Sequence, residues 1–236
     1  MLAFFANKQE LIITTMENKA DKDKRYTKGE EWVNALTHAV GIVGGIIVSA
    51  LFIAKGKDVG LDGWGMASLW LYIFGMLSSY IFSTSYHACS PSLSWKRRLR
   101  KLDHSAIYWH IAGSYSPLML IALRNVDYWG WGIFIFCWLC AVAGTIVSFC
   151  ALKKHNKIET ICFILMGLTI VVAMKQFWDA VPLGVFLWVV GEGIAYIIGA
   201  ILYSFHKVKY IHAIFHVFVL VGTLCHMMAV WEVLTR

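Results

Sequence analysis

Seven apolar stretches of roughly twenty residues follow one another along this chain, each long enough to cross the hydrocarbon core of a bilayer as a helix. They run from Val33 to Ala54, Trp64 to Tyr86, His104 to Leu123, Trp129 to Leu152, Ile158 to Phe177, Gly184 to Tyr203 and Ile211 to Val233. With 59% hydrophobic and only 15% charged residues, the composition excludes an ordinary soluble domain. Trp32, Trp64, Trp129 and Trp131 stand near segment ends, where indole rings anchor a protein at the membrane interface. The fold expected is therefore an all-α membrane protein, a seven-transmembrane helix bundle. Short connectors make neighbouring helices antiparallel.

Residues 1–31 read as a flexible cytosolic leader, polar and without apolar periodicity, and residues 32–236 as the transmembrane domain. The opening Met1-Leu-Ala-Phe-Phe-Ala is too short for the core of a signal peptide. Pro117, inside the third span, predicts a kink there, with the freed carbonyl satisfied by neighbouring helices. Gly41, Gly44, Gly45, Gly191, Gly193 and Gly199 are expected to permit close helix contacts. Cys137 and Cys140 stand three apart without a second such pair, so the six cysteines read as reduced packing residues rather than thiolate ligands.

Orientation follows from where positive charge collects. Lys19, Lys22, Lys24, Arg25 and Lys28 precede the first span. Lys96, Arg97, Arg98, Arg100 and Lys101 fill the second loop, Lys153, Lys154 and Lys157 the fourth, and Lys207 and Lys209 the sixth. All lie on one side of a seven-span bundle, whereas the opposite loops are nearly neutral. The positive-inside rule then places the N-terminus in the cytosol and the C-terminus outside. The net charge of +7 is a topology signal that also faces anionic lipid headgroups, and nucleic acid need not be invoked.

That topology brings a set of polar residues to one depth. The second span closes on Ser83 and His87, the third opens at Asp103, and the last opens on His212 and His216, four residues apart and hence on one helix face. A single intramembrane histidine is most often an interfacial residue or a partner in an interhelical hydrogen bond. Three at one depth with a carboxylate are costly unless paired or metal-bound, and His-x-x-x-His is metal-ligand spacing. Three imidazoles leave a tetrahedral zinc with one open position, the pattern of catalytic rather than structural sites. Asp103 is then placed to hold or deprotonate a water there, and Ser83, one turn before His87, to hydrogen-bond the water, the carboxylate or a substrate oxygen.

His38 shares a helix face with Glu31 and Asn34 at the same end of the first span, which suggests a supporting or packing role in preference to direct ligation. Glu30 and Glu31 also border that span as partial caps. His104 and His110 belong to the third span, and His155 and His206 to loops or boundaries. His226 lies roughly 15 Å along the helix from His216, too deep to join the cluster. Glu192, well inside its span, reads as a polar contact between helices.

Several separated stretches carry a family resemblance covering nearly the whole chain after the leader. They are Tyr26-Thr-Lys-Gly-Glu-Glu-Trp-Val-Asn-Ala-Leu-Thr-His38, Ser83-Thr-Ser-Tyr-His87, Leu99-Arg-Lys-Leu-Asp103-His-Ser-Ala-Ile-Tyr, Ile111-Ala-Gly-Ser-Tyr-Ser-Pro117 and His212-Ala-Ile-Phe-His216 onward to His226. In this order they resemble the bacterial hemolysin III proteins, which group with the progestin and adiponectin receptors and, more distantly, with alkaline ceramidases. Ser116 stands where Thr is familiar, away from the site. The resemblance implies zinc on His87, His212 and His216 with Ser83 and Asp103 beside it. It also implies a multi-pass protein of the bacterial plasma membrane, whose partners are membrane lipids and a lipid substrate or ligand. The leading expectation is a zinc-dependent hydrolase of a lipid amide or ester that serves membrane lipid homeostasis. The rivals are a regulator or sensor with structural zinc and a pore-forming haemolysin, which would need a polar stripe along several spans.

Overall fold

The computed structural model describes residues 26–151, 157–205 and 207–235, all helix and connecting turn. The helices are α1 (Lys28–Asp58), α2 (Gly63–Ala88), α3 (Trp95–Pro117), α4 (Trp129–Ala151), α5 (Lys157–Gly167), α6 (Met174–Ala180), α7 (Leu183–Tyr203) and α8 (Ile211–Leu234). Residues of the leader before Tyr26, and Lys153, Lys154, His155 and His206, lie outside the described residues.

Among the described residues, six helical segments are long and apolar enough to cross a membrane: α1, α2, α4, the run from Ile158 to Ala180 that joins α5 and α6, α7 and α8. Their polarity is inverted relative to a soluble protein. On α1, Leu36, Val40, Val43, Ile47 and Leu51 are exposed, whereas Asn34, His38, Gly41 and Gly45 are buried. Lipid solvates the outer face, and the small and polar residues that let helices touch are turned inward. All six cysteines are free; Cys137 is buried, whereas Cys150 and Cys162 are exposed.

α3 differs because its surroundings are protein. Its first turns carry the Lys and Arg cluster, and its later turns bury Ser105, Ala106, His110, Ala112, Gly113, Ser114 and Ser116 among α2, α4 and α5. A helix sheathed by other helices needs close contact more than hydrophobicity. At Gly75 of α2 an added Cβ would strike the Trp109 carbonyl oxygen of α3, and at Gly113 it would come within 2.9 Å of the Leu71 carbonyl oxygen. These are close backbone crossings between α2 and α3; Gly75 stands in a small-xxx-small run with Ser79, whereas Gly113, between Trp109 and Pro117 at that spacing, does not. Of the glycines expected at contacts, Gly41, Gly45 and Gly199 do pack tightly, whereas Gly44 and Gly193 face open space.

Pro117 cannot donate an amide proton, and α-helical geometry ends there. Residues Leu118–Ala122 form a π-helical turn, with Leu123 N bonded to the Leu118 carbonyl at 3.2 Å. A second irregularity was not legible in the sequence: Leu168–Ala173 is 3-10 helix within the fifth apolar segment. Tyr115 of α3 braces it, its hydroxyl donating to the Gly167 carbonyl at 2.7 Å and accepting from Ile170 N at 2.9 Å.

One contact ties together the starts of α1 and α8. Thr27 and Glu30 form a reciprocal capping box at the start of α1. The second Glu30 oxygen accepts from Tyr210 N at 3.1 Å, the left-handed residue that opens α8. Glu30 is thus the expected cap, and it also sets the α8 histidines beside α1.

Candidate metal centre

Two helices deliver the ligands. His87 sits in the last turn of α2, and His212 and His216 occupy successive turns at the start of α8. One nitrogen from each lies within 4.8 Å of the other two, and the His87 and His212 Nε2 atoms are 3.2 Å apart. Tetrahedral ligation at the usual zinc–nitrogen distance places ligand nitrogens roughly 3.3 Å apart, and the His87–His212 pair is at that spacing. Two of the rings are fixed through their far nitrogens. Glu31 of α1 lies 2.5 Å from His87 Nδ1, and a carboxylate there accepts the Nδ1–H and frees the Nε2 lone pair. His216 Nδ1 donates to the Asn34 carbonyl at 3.2 Å, with the Thr37 hydroxyl 3.0 Å away, which leaves its Nε2 for the cluster.

The supporting residues divide differently from the face pattern seen in the sequence. Glu31 holds His87 and is itself held by Lys96 Nζ at 2.9 Å, which also donates to the Tyr86 and Cys89 carbonyls. Asn34 acts through its main chain, and its side-chain amide finds no partner among the described residues. His38 is buried and stacks on the His216 ring with centroids 3.7 Å apart, outside the three-histidine group.

Asp103 reaches the same end of the bundle from α3, where it is half-buried. The Ser83 hydroxyl hydrogen-bonds to its carboxylate, and His87 and His104 are close enough for charge interaction with it. His104 turns away to the buried Glu159 at 2.8 Å, a carboxylate also bonded by Ser148 at 2.7 Å. The expected five residues therefore meet at one end of the bundle.

Three contributors were missed. Lys96 was read only as a topology charge. Thr37 is on the expected face of α1 but carries no metal signature. Tyr26 stacks on His212 with centroids 5.0 Å apart, although it precedes the first helix and belongs to a segment assigned to the leader. Thr37 shares the α1 face of Asn34 and His38, whereas Lys96 meets Glu31 across two helices and 65 residues, which no spacing in the sequence signals.

An inward-polar helical bundle with a buried three-histidine cluster defines a multi-pass membrane protein with a candidate metal centre. A haemolysin-III related family model matches residues 26–227, and the chain belongs to that family. Hemolysin-3 of Bacillus cereus is 33% identical over 209 residues, covering 88% of this chain and 93% of that protein. The hemolysin-3 homolog of Bacillus subtilis (strain 168) is 30% identical over 198 residues, 84% of this chain and 91% of its own length. The human monocyte to macrophage differentiation factor is 31% identical over 234 residues, with 94% and 92% covered.

Proposed function

We propose that this protein is a zinc-dependent hydrolase of a lipid amide or ester, working at the cytosolic face of the bacterial plasma membrane in membrane lipid homeostasis. The observation that carries the reading is the juxtaposition of three convergent imidazoles with a Ser83–Asp103 pair that is not among them. In this reading α3 is the seventh crossing, its low hydropathy explained by its protein surroundings. The basic loops hold the histidine end in the cytosol.

When bound by His87, His212 and His216, zinc supplies Lewis acidity and lowers the pKa of water toward about 7. Asp103 is the acceptor for the proton released when water attacks the acyl carbon. Ser83 donates to that carboxylate, fixing its orientation and reducing its freedom to turn away. Glu31 keeps His87 in the tautomer that presents Nε2, and the Asn34 carbonyl does the same for His216. The lipid substrate enters with its acyl chain along the apolar helices and its headgroup at the charged end.

The test separates ligation from chemistry. Asp103→Asn preserves shape but cannot accept a proton, so it should retain zinc and lose fatty-acid release from a panel of lipid amides and esters in bilayers. Ser83→Ala should be milder, by about 1 kcal/mol of lost hydrogen bonding. If zinc-loaded wild type releases no more than Asp103→Asn, while both restore the membrane phenotype of a deletion strain, the protein is a regulator with structural zinc.

A further inference from the structure

A second polar constellation lies in the middle of the bundle, in a layer the metal centre does not use. Glu192 stands halfway along α7, and its carboxylate is 2.8 Å from His226 Nδ1 on α8, with side-chain exposures of 12% and 1%. His226 is roughly 15 Å along α8 from His216. Tyr72 of α2 packs its ring on His226 with centroids 4.9 Å apart, and His110 of α3 is close enough for charge interaction with His226.

Most polar side chains in this bundle satisfy themselves locally. The Ser114, Ser116 and Thr223 hydroxyls each donate to the carbonyl four residues back, and Tyr80 and Tyr196 both bond to Thr223. Three atoms of the middle layer do not. Tyr72 Oη, His110 Nε2 and His226 Nε2 meet no hydrogen-bonding group among the described residues, although the three residues are 0%, 6% and 1% exposed. A buried polar atom without a partner is strongly unfavourable at low dielectric, and three in one layer are unexplained by packing. An internal water needs two to four polar partners, and these three atoms are the unpartnered polar atoms of the residues around His226.

We infer that Glu192, His226, His110 and Tyr72 form a hydrated proton-binding site in the middle of the bundle, separate from the three-histidine cluster. Glu192 accepts the His226 Nδ1–H, so the lone pair or proton of Nε2 is turned to the water. A carboxylate–imidazole pair facing water in this way exchanges its proton, whereas the same pair in a dry core does not. The other titratable groups facing Glu192 are Tyr72 of α2, Tyr115 of α3, Tyr196 of α7 and Cys225 of α8. From α1 the neighbour is apolar, with Phe52 against Tyr72 and Trp231.

The site is tested by nuclear magnetic resonance of the full-length protein carrying 15N-labelled histidine in bilayers. The His226 Nδ1–H signal, identified by its loss from the downfield region in Glu192→Gln, should vanish within minutes of transfer to D2O. Persistence for hours, alongside the amides of the surrounding helices, would overturn the inference. Should Glu192→Gln fail to fold, Tyr72→Phe decides the question. Loss of a water partner lowers the melting temperature by about 2–4 °C, whereas a rise, from relief of an unpartnered hydroxyl in a dry core, would overturn the inference.

Discussion

Glu31 and His87, 56 residues apart in sequence, are joined on α1 and α2 by a 2.5 Å contact that fixes which imidazole nitrogen faces the cluster. The carboxylate is anchored in turn by Lys96, so a charge–charge–imidazole chain runs from the first turn of α3 into the candidate metal centre. Carboxylates that hold a ligating histidine commonly contribute 10–100-fold in metal affinity, and Glu31→Gln should weaken zinc binding by about that factor. Competition with a chelator of known affinity measures it. Unchanged affinity would remove Glu31 from the account.

The crossing of α2 and α3 gives a stability prediction. Gly75→Ala drives a methyl into the Trp109 carbonyl, a backbone group that cannot turn aside, and should cost about 2 kcal/mol or more. Gly193→Ala, with nothing within 4 Å of its added carbon, should be near neutral. Thermal unfolding of the two variants in one detergent makes the comparison.

Much of the fold was legible because a bilayer imposes a length and a polarity on each helix, and the charge-bearing loops mark the ends. The site was legible where ligand spacing coincides with helical register, as for His212 and His216. The irregular stretches were not. Leu168–Ala173 is apolar apart from Thr169, and the Tyr115 hydroxyl, on another helix, is what braces its 3-10 geometry. The roles of Lys96 and Glu31 depend on side chains meeting across helices. Glu192 read as a polar contact between helices and is one, but its partner His226, on another helix, was not legible.

At the end of the bundle away from the histidines, Arg124 pairs with Asp62 at 2.8 Å, and Asp62 also caps α2 through Gly65 N. The hydrogen bond from Arg124, joined by that from Gly65 N, holds the Asp62 carboxyl below the usual carboxylate range. A depressed folded pKa means that this link stabilises fully above the unfolded value of about 4 and is lost as pH falls through the lower folded value. Asp62→Asn keeps the cap and removes the ion pair. Its melting temperature should fall slightly below wild type at neutral pH, with the gap closing toward about pH 3. A gap that is independent of pH would contradict the pairing.

The orientation proposed from the basic loops is checked by tagging both termini in intact cells. An N-terminal tag should be protected and a C-terminal tag accessible from outside. Both tags on one side would mean an even number of crossings and would remove α3 from the membrane.

The central claim is that His87, His212 and His216 hold a zinc ion, and elemental analysis of purified protein tests it most directly. The account predicts about one zinc per chain, stripped by replacing the three histidines together with alanine while the protein remains folded. Stoichiometric zinc retained by that triple variant, or wild-type protein that takes up none when zinc is supplied, would contradict it.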